Sequence, residues 1–173
     1  MICPLSYWKL ILIGIFPLLI SGAAIGGNLP DFKLTPGAIS ADVTQENIQQ
    51  TVCVKGYTKR IRPPAYYTSK LKKQQIREYG YADTNPKHYE EDHLIALSIG
   101  GAPADPLNLW PEPRHGEWSA GKKDQLELVL YKIVCAGGIS LAEAQHEMAT
   151  NWIEAWKLFV PLHQSLRSLQ ITE

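Results

Sequence analysis

Cysteine is scarce in this chain: three among 173 residues, none in a C-x-x-C arrangement, which excludes a cysteine zinc site. Net charge is absent as well. Seventeen Lys and Arg balance seventeen Asp and Glu, which excludes nucleic-acid binding driven by the charge of the whole molecule and leaves open binding by a local patch. The chain also lacks an apolar run of the ~20 residues that a membrane-spanning helix needs. The run LILIGIFPLLI, from Leu10 to Ile20, stops short, and only Ala24 to Gly27 could lengthen it. No internal repeat or low-complexity tract occurs, so a solenoid is excluded.

What the leading segment does contain is Lys9 ahead of the apolar run and Ser21, Gly22, Ala23 and Ala24 behind it. This is a secretory signal over 1–24, cut near Ala23 or Ala24, with an uncleaved membrane anchor as the alternative. Its removal takes away Lys9 and Cys3. The remainder, with 16 basic and 17 acidic residues, is nearly neutral and is expected outside the cytosol, periplasmic or secreted. There Cys53 and Cys135 form an even pair and are predicted to be bonded to each other.

The charge that cancels overall is unevenly placed. From Lys55 to Arg77 eight basic residues occur with no acid among them. Lys59, Arg60, Arg62, Lys72 and Lys73 are the candidates to meet phosphates, and the interleaved Tyr57, Tyr66 and Tyr67 are rings on which bases can stack. The plainer reading is a solvated basic face.

Residues 25–41, rich in Gly and Pro, predict a flexible linker, 42–165 a single domain and 166–173 a tail. Asp42 to Val54 predicts a short helix or turn and then a strand containing Cys53. Arg62-Pro63-Pro64 forces extended backbone. Ser69 to Tyr79 predicts a basic helix, capped by Ser69 and stopped at Gly80. His88 to Ile99 and a segment around Leu107 to Trp110 read as two paired short strands. From Ser119 the period becomes helical, with Leu126, Val129, Leu130, Ile133 and Val134 on one face and Gly137-Gly138 as the end. Ser140 and Glu143 form a capping-box signature. Leu141, Ala144, Met148, Trp152, Ala155, Trp156 and Phe159 line the helix that follows, and Pro161 stops it. The fold class is α+β.

The most informative run is YEEDHLIALSIGGAPADPLNLWPEP, Tyr89 to Pro113. Metal-assisted phosphodiester hydrolysis needs oxygen ligands for a hard cation, a base to activate water, and a group to orient the base. Asp92, His93 and Asn108 can fill these roles. A regular strand would turn the side chains of Asp92 and His93 to opposite faces, so their convergence requires a bulge or a strand end. Without one, Glu91 shares the face of His93. Read singly, Glu90-Glu91-Asp92 is a solvated acidic edge, His93 a hydrogen-bonded histidine, and Asn108 a turn residue.

The blocks TVCVKGYTKRIRPP, YEEDHLIALSIGG, NLWPEP, KKDQLE and AQ…NW occur in this order between Thr51 and Trp152. In this the chain resembles the His-Asn-His (HNH) endonucleases, in particular an exported bacterial group of them. The resemblance implies a ββα-metal (His-Me finger) core with an added C-terminal helix and an N-terminal basic extension. It implies His93 as general base, Asp92 as first ligand of one divalent metal, and Asn108 as the brace of the loop. Mg²⁺ is the expected ion, then Mn²⁺, and last Zn²⁺. The resemblance departs at the second ligand, where related sequences often carry asparagine and this chain has Ser119; His115 and Glu117 are the substitutes at hand. The expected activity is hydrolysis of nucleic acid, DNA ahead of RNA, with no small-molecule cofactor. The alternatives are a nucleic-acid-binding protein that kept the fold and lost the chemistry, and a cell-envelope protein whose basic face meets anionic lipid.

Overall fold

The computed structural model describes residues 27–170, with the side chains of 169 and 170 left aside. The expected signal segment and Cys3 lie outside the described residues. Helices α1 (Tyr57–Ile61) and α2 (Ala65–Glu78) come first, then strands β1 (Tyr89–His93) and β2 (Leu109–Pro113), then helices α3 (Ala120–Cys135) and α4 (Leu141–Gln170). This is a mixed α and β architecture with one two-stranded antiparallel sheet.

The two strands pair in unbroken register from Tyr89↔Pro113 to His93↔Leu109. Beyond each end, Arg114 N–H donates to the His88 carbonyl and Leu94 N–H to the Asn108 carbonyl. Alternate pairs are therefore the hydrogen-bonded ones, and Pro111 and Pro113 fall on the positions between them, where the ladder asks for no N–H. That is how a Trp-Pro-Glu-Pro sequence can serve as a strand.

Helix α2 starts at Ala65, earlier than the expected Ser69, because the extended Pro64 (φ −62°, ψ 144°) sets the entry and leaves Ser69 inside the helix. Its stop is as expected, at Gly80 with φ 65°. The strand expected around Cys53 is instead a series of turns, fixed by Thr44 N–H donating to Asn47 Oδ1 and by Cys53 N–H donating to the Ile48 carbonyl. Cys53 is bonded to Cys135, across a sequence separation of 82.

Leu126, Leu130 and Val134 of α3 and Ala144, Met148 and Trp152 of α4 are fully buried and join Trp110, Leu94 and Ile99 in one core. Ser140 Oγ accepts from Glu143 N–H, as the capping signature predicts. Helix α4 departs from expectation twice. It breaks at Asn151, whose backbone is extended (φ −163°, ψ 88°) and whose Oδ1 accepts from the N–H groups of Ile153 and Glu154, both at 3.2 Å. It also runs through Pro161 to Gln170, so neither a stop at 161 nor a separate tail from 166 is present among the described residues. Proline removes one hydrogen bond and bends a helix without having to end it.

The segment expected as a loose linker is fastened to the loop between the strands. Gly37 N–H donates to the Leu107 carbonyl, Ser40 N–H to that of Gly100, and Ala102 N–H to that of Ala38. Thr35, fully buried, donates its hydroxyl to the Leu109 carbonyl and accepts from Tyr79 Oη.

Candidate active site

His93 is the last residue of β1, and the loop that follows it is built to present one carbonyl. Asn108 is fully buried; its Oδ1 accepts from Ile95 N–H at 2.9 Å, and its Nδ2 donates to the carbonyls of Ile95 and Ala102, each at 3.0 Å. Gly101 has no alternative here, since a Cβ would stand 1.8 Å from the Ile95 carbonyl oxygen. Tyr67 Oη donates to Ala104 O, Gln75 Nε2 to Pro106 O, and Gln145 Nε2 to Ile99 O. The loop is thus held from α2 and α4 together. At its crest the Pro103 carbonyl lies 2.9 Å from His93 Nε2.

A carbonyl can only accept, so Nε2 carries the proton and Nδ1 carries the lone pair. Among the described residues Nδ1 has no hydrogen-bond partner. Burial of the ring lowers its pKa, with the Pro103 bond acting the other way, and the imidazole is neutral at pH 7. Asn108 does not touch the ring. It positions His93 indirectly, through the loop.

No bulge interrupts β1, so the convergence of Asp92 and His93 expected from the sequence does not occur. Alternation and cross-strand pairing put His93 and Glu91 on one face and Asp92, Trp110 and Glu112 on the other. The His93 face opens on a cleft of about 280 Å³, lined by Arg62, Ser69, Lys72, Glu91, His93 and Arg114 among others. Lys72 Nζ and Arg114 Nε both donate to the Tyr89 carbonyl, at 3.0 and 3.1 Å. Two cations are therefore fixed side by side. Burial and then the charge of Arg114 lower the Lys72 pKa, as expected for positive groups waiting for an anion. Arg114 also pairs with Glu90 at 2.8 Å. Both carboxyl oxygens of Glu91 are buried without a partner, and burial pushes its pKa up to about 8 against the pull of Lys72.

The Asp92 face is closed. Lys123 of α3 is fully buried, with Nζ 2.5 Å from Asp92 Oδ2 and bonded also to Glu127. Burial alone would strip its proton; the carboxylates of Asp92, Glu127 and Glu112 outweigh that and raise its pKa. Burial likewise opposes the ionisation of Asp92, and Lys123 overrides it, holding Asp92 low and charged. Glu112, also fully buried, is raised well above its ordinary range by burial. Its oxygens have no donor to accept from, so it is the protonated partner that donates to Asp92.

This arrangement does not fit a resident divalent ion. Asp92, the expected first ligand, is held by an ammonium, and no group of three His, Cys, Asp or Glu side chains is gathered to hold a metal among the described residues. Ser119 is the residue preceding α3, and its carbonyl accepts from the N–H groups of Lys122 and Lys123. His115 and Glu117 are exposed on the loop between β2 and α3, with the His115 ring 6.3 Å from that of His88.

Of the five basic residues expected to meet nucleic acid, Arg62 and Lys72 line the cleft. Lys59, Arg60 and Lys73 are exposed outside it, with the Arg60 guanidinium over the Tyr57 ring. Tyr57 is buried and the Tyr67 hydroxyl is engaged, which leaves Tyr66, 79% exposed, as the free ring. Sequence reasoning missed two residues. Arg114 gave no signal beyond its place after the last strand residue. Lys123 did give one, since it lies one helical step before Leu126 on the apolar stripe.

Set against protein-family models, curated proteins and solved structures, the chain matches none of them.

Proposed function

We propose that this protein cleaves phosphodiester bonds of nucleic acid, with His93 as the general base. The observation that carries the reading is the imidazole itself: buried, neutral, oriented by the Pro103 carbonyl, and with Nδ1 free at a cleft that also holds Arg62, Lys72 and Arg114. A phosphodiester entering the cleft meets three cations that can take its non-bridging oxygens and stabilise charge growing on them. The attacking hydroxyl or water then loses its proton to Nδ1. Strand, loop, strand and helix in this order agree with the ββα unit implied by the sequence resemblance. No step is assigned to a metal, because the donors do not fit one. The Cys53–Cys135 bond supports export, since such bonds persist in oxidising compartments.

A second reading, binding without cutting, is favoured by the Lys123 ammonium on Asp92. The two are separated by incubating purified protein with end-labelled single-stranded and duplex DNA and RNA. Cleavage is expected, and His93→Ala should lower its rate about 10²–10⁴-fold with an unchanged circular dichroism spectrum. Binding with no cleavage under any condition, or full activity in His93→Ala, contradicts the proposal.

A further inference from the structure

The cleft holds a second proton-transfer group besides His93. Glu91 and His93 are two residues apart on a regular strand, so they share a face with a rise of ~6.6 Å between them, enough to flank one phosphate. The other acid on the cleft, Glu90, is paired with Arg114. Glu91 is paired with nothing: its oxygens are buried and free of hydrogen bonds, although it lines the cleft. An ionised carboxylate so placed would be uncompensated, and the acid form is the one its surroundings hold. A base, an acid and three phosphate-binding cations are therefore gathered on one side of the hairpin, while Lys123 closes the other. Such a set has no means of activating a metal-bound water and needs a substrate with its own nucleophile beside phosphorus. The ribose 2′-hydroxyl is one, and it distinguishes RNA from DNA.

Resting on the nuclease reading above, we propose that the cleft cleaves RNA by transesterification without a divalent ion, His93 acting as base and Glu91 as acid. His93 Nδ1 takes the proton of the 2′-hydroxyl as O2′ bonds to phosphorus. The P–O5′ bond breaks, and Glu91 gives its proton to the departing O5′. The products are a 2′,3′-cyclic phosphate and a 5′-hydroxyl. Arg62, Lys72 and Arg114 hold the non-bridging oxygens throughout. Glu91 and His93 then stand in the opposite protonation states, ready to exchange roles when water opens the cyclic ester.

The test uses the purified full chain with a single-stranded RNA, the same RNA bearing one 2′-deoxy residue, and the DNA counterpart, each in chelator and in Mg²⁺ or Mn²⁺, with end groups read by mass. The expected result is cleavage of RNA in chelator, 2′,3′-cyclic ends, and no cut at the deoxy position or in DNA. Cleavage that needs a divalent ion, or that leaves 5′-phosphates, overturns this inference and leaves the nuclease reading standing. No cleavage of any substrate overturns both. Glu91→Gln should slow natural RNA about 10²–10⁴-fold and recover when the leaving O5′ is replaced by sulfur, which departs without a proton. A merely structural loss gives no such recovery, and an undiminished rate in Glu91→Gln overturns the acid assignment.

Discussion

His93 is made useful by the nitrogen it leaves free. A histidine whose two nitrogens were both bonded would be a structural residue; here one is anchored to a carbonyl and the other meets the cleft. Glu91 is the opposite case, a carboxyl placed where nothing receives it. Its pKa is moved from the ordinary 4.5 up to about 8 by burial, so between those values the folded protein keeps a proton that the unfolded chain has lost. By linkage, a raised carboxyl favours folding at low pH and opposes it increasingly as pH rises through that window. Glu91→Gln should therefore be the more stable protein at pH 8 by on the order of a few kcal/mol, with the difference shrinking toward pH 5. Urea midpoints at the two pH values check this. A difference that is constant or that grows toward acid contradicts it.

Helices announce themselves by periodicity, and α3 and α4 were legible for that reason: their buried residues recur at helical spacing. The hairpin was legible too, from two short segments flanking Gly100-Gly101, although its second strand contains two prolines. What the sequence did not show is the absence of a bulge. Whether Asp92 and His93 meet depends on strand register, and register depends on the Asn108-braced loop and the segment 35–40 docked against it, contacts between residues far apart in the chain. The break in α4 was equally hidden, because Asn151 lies inside an unbroken apolar pattern. Asn151 caps the second half of the helix through two backbone N–H groups. Asn151→Ala should cost about 1 kcal/mol, seen as a lower urea midpoint with an unchanged slope. No loss of stability would show that the cap contributes nothing.

A molecule with no net charge can still bind a polyanion when its cations are gathered, and here Arg62, Lys72 and Arg114 are gathered around one histidine. The Cys53–Cys135 bond ties the chain just ahead of α1 to the end of α3, with the whole hairpin and its loop between them. With 82 residues of separation, the chain-entropy treatment assigns such a bond about 4–5 kcal/mol. Reduction should lower the urea midpoint accordingly, and a loss under about 1 kcal/mol would show that the unfolded chain is not freed by it. Most direct of all is chemical rescue of the base. His93→Gly should be folded and inactive toward nucleic acid, and free imidazole diffusing into the vacated space should restore cleavage in proportion to its neutral form. Cleavage by His93→Gly at the wild-type rate with no imidazole present would show that the proton goes elsewhere and that this cleft does not carry the chemistry.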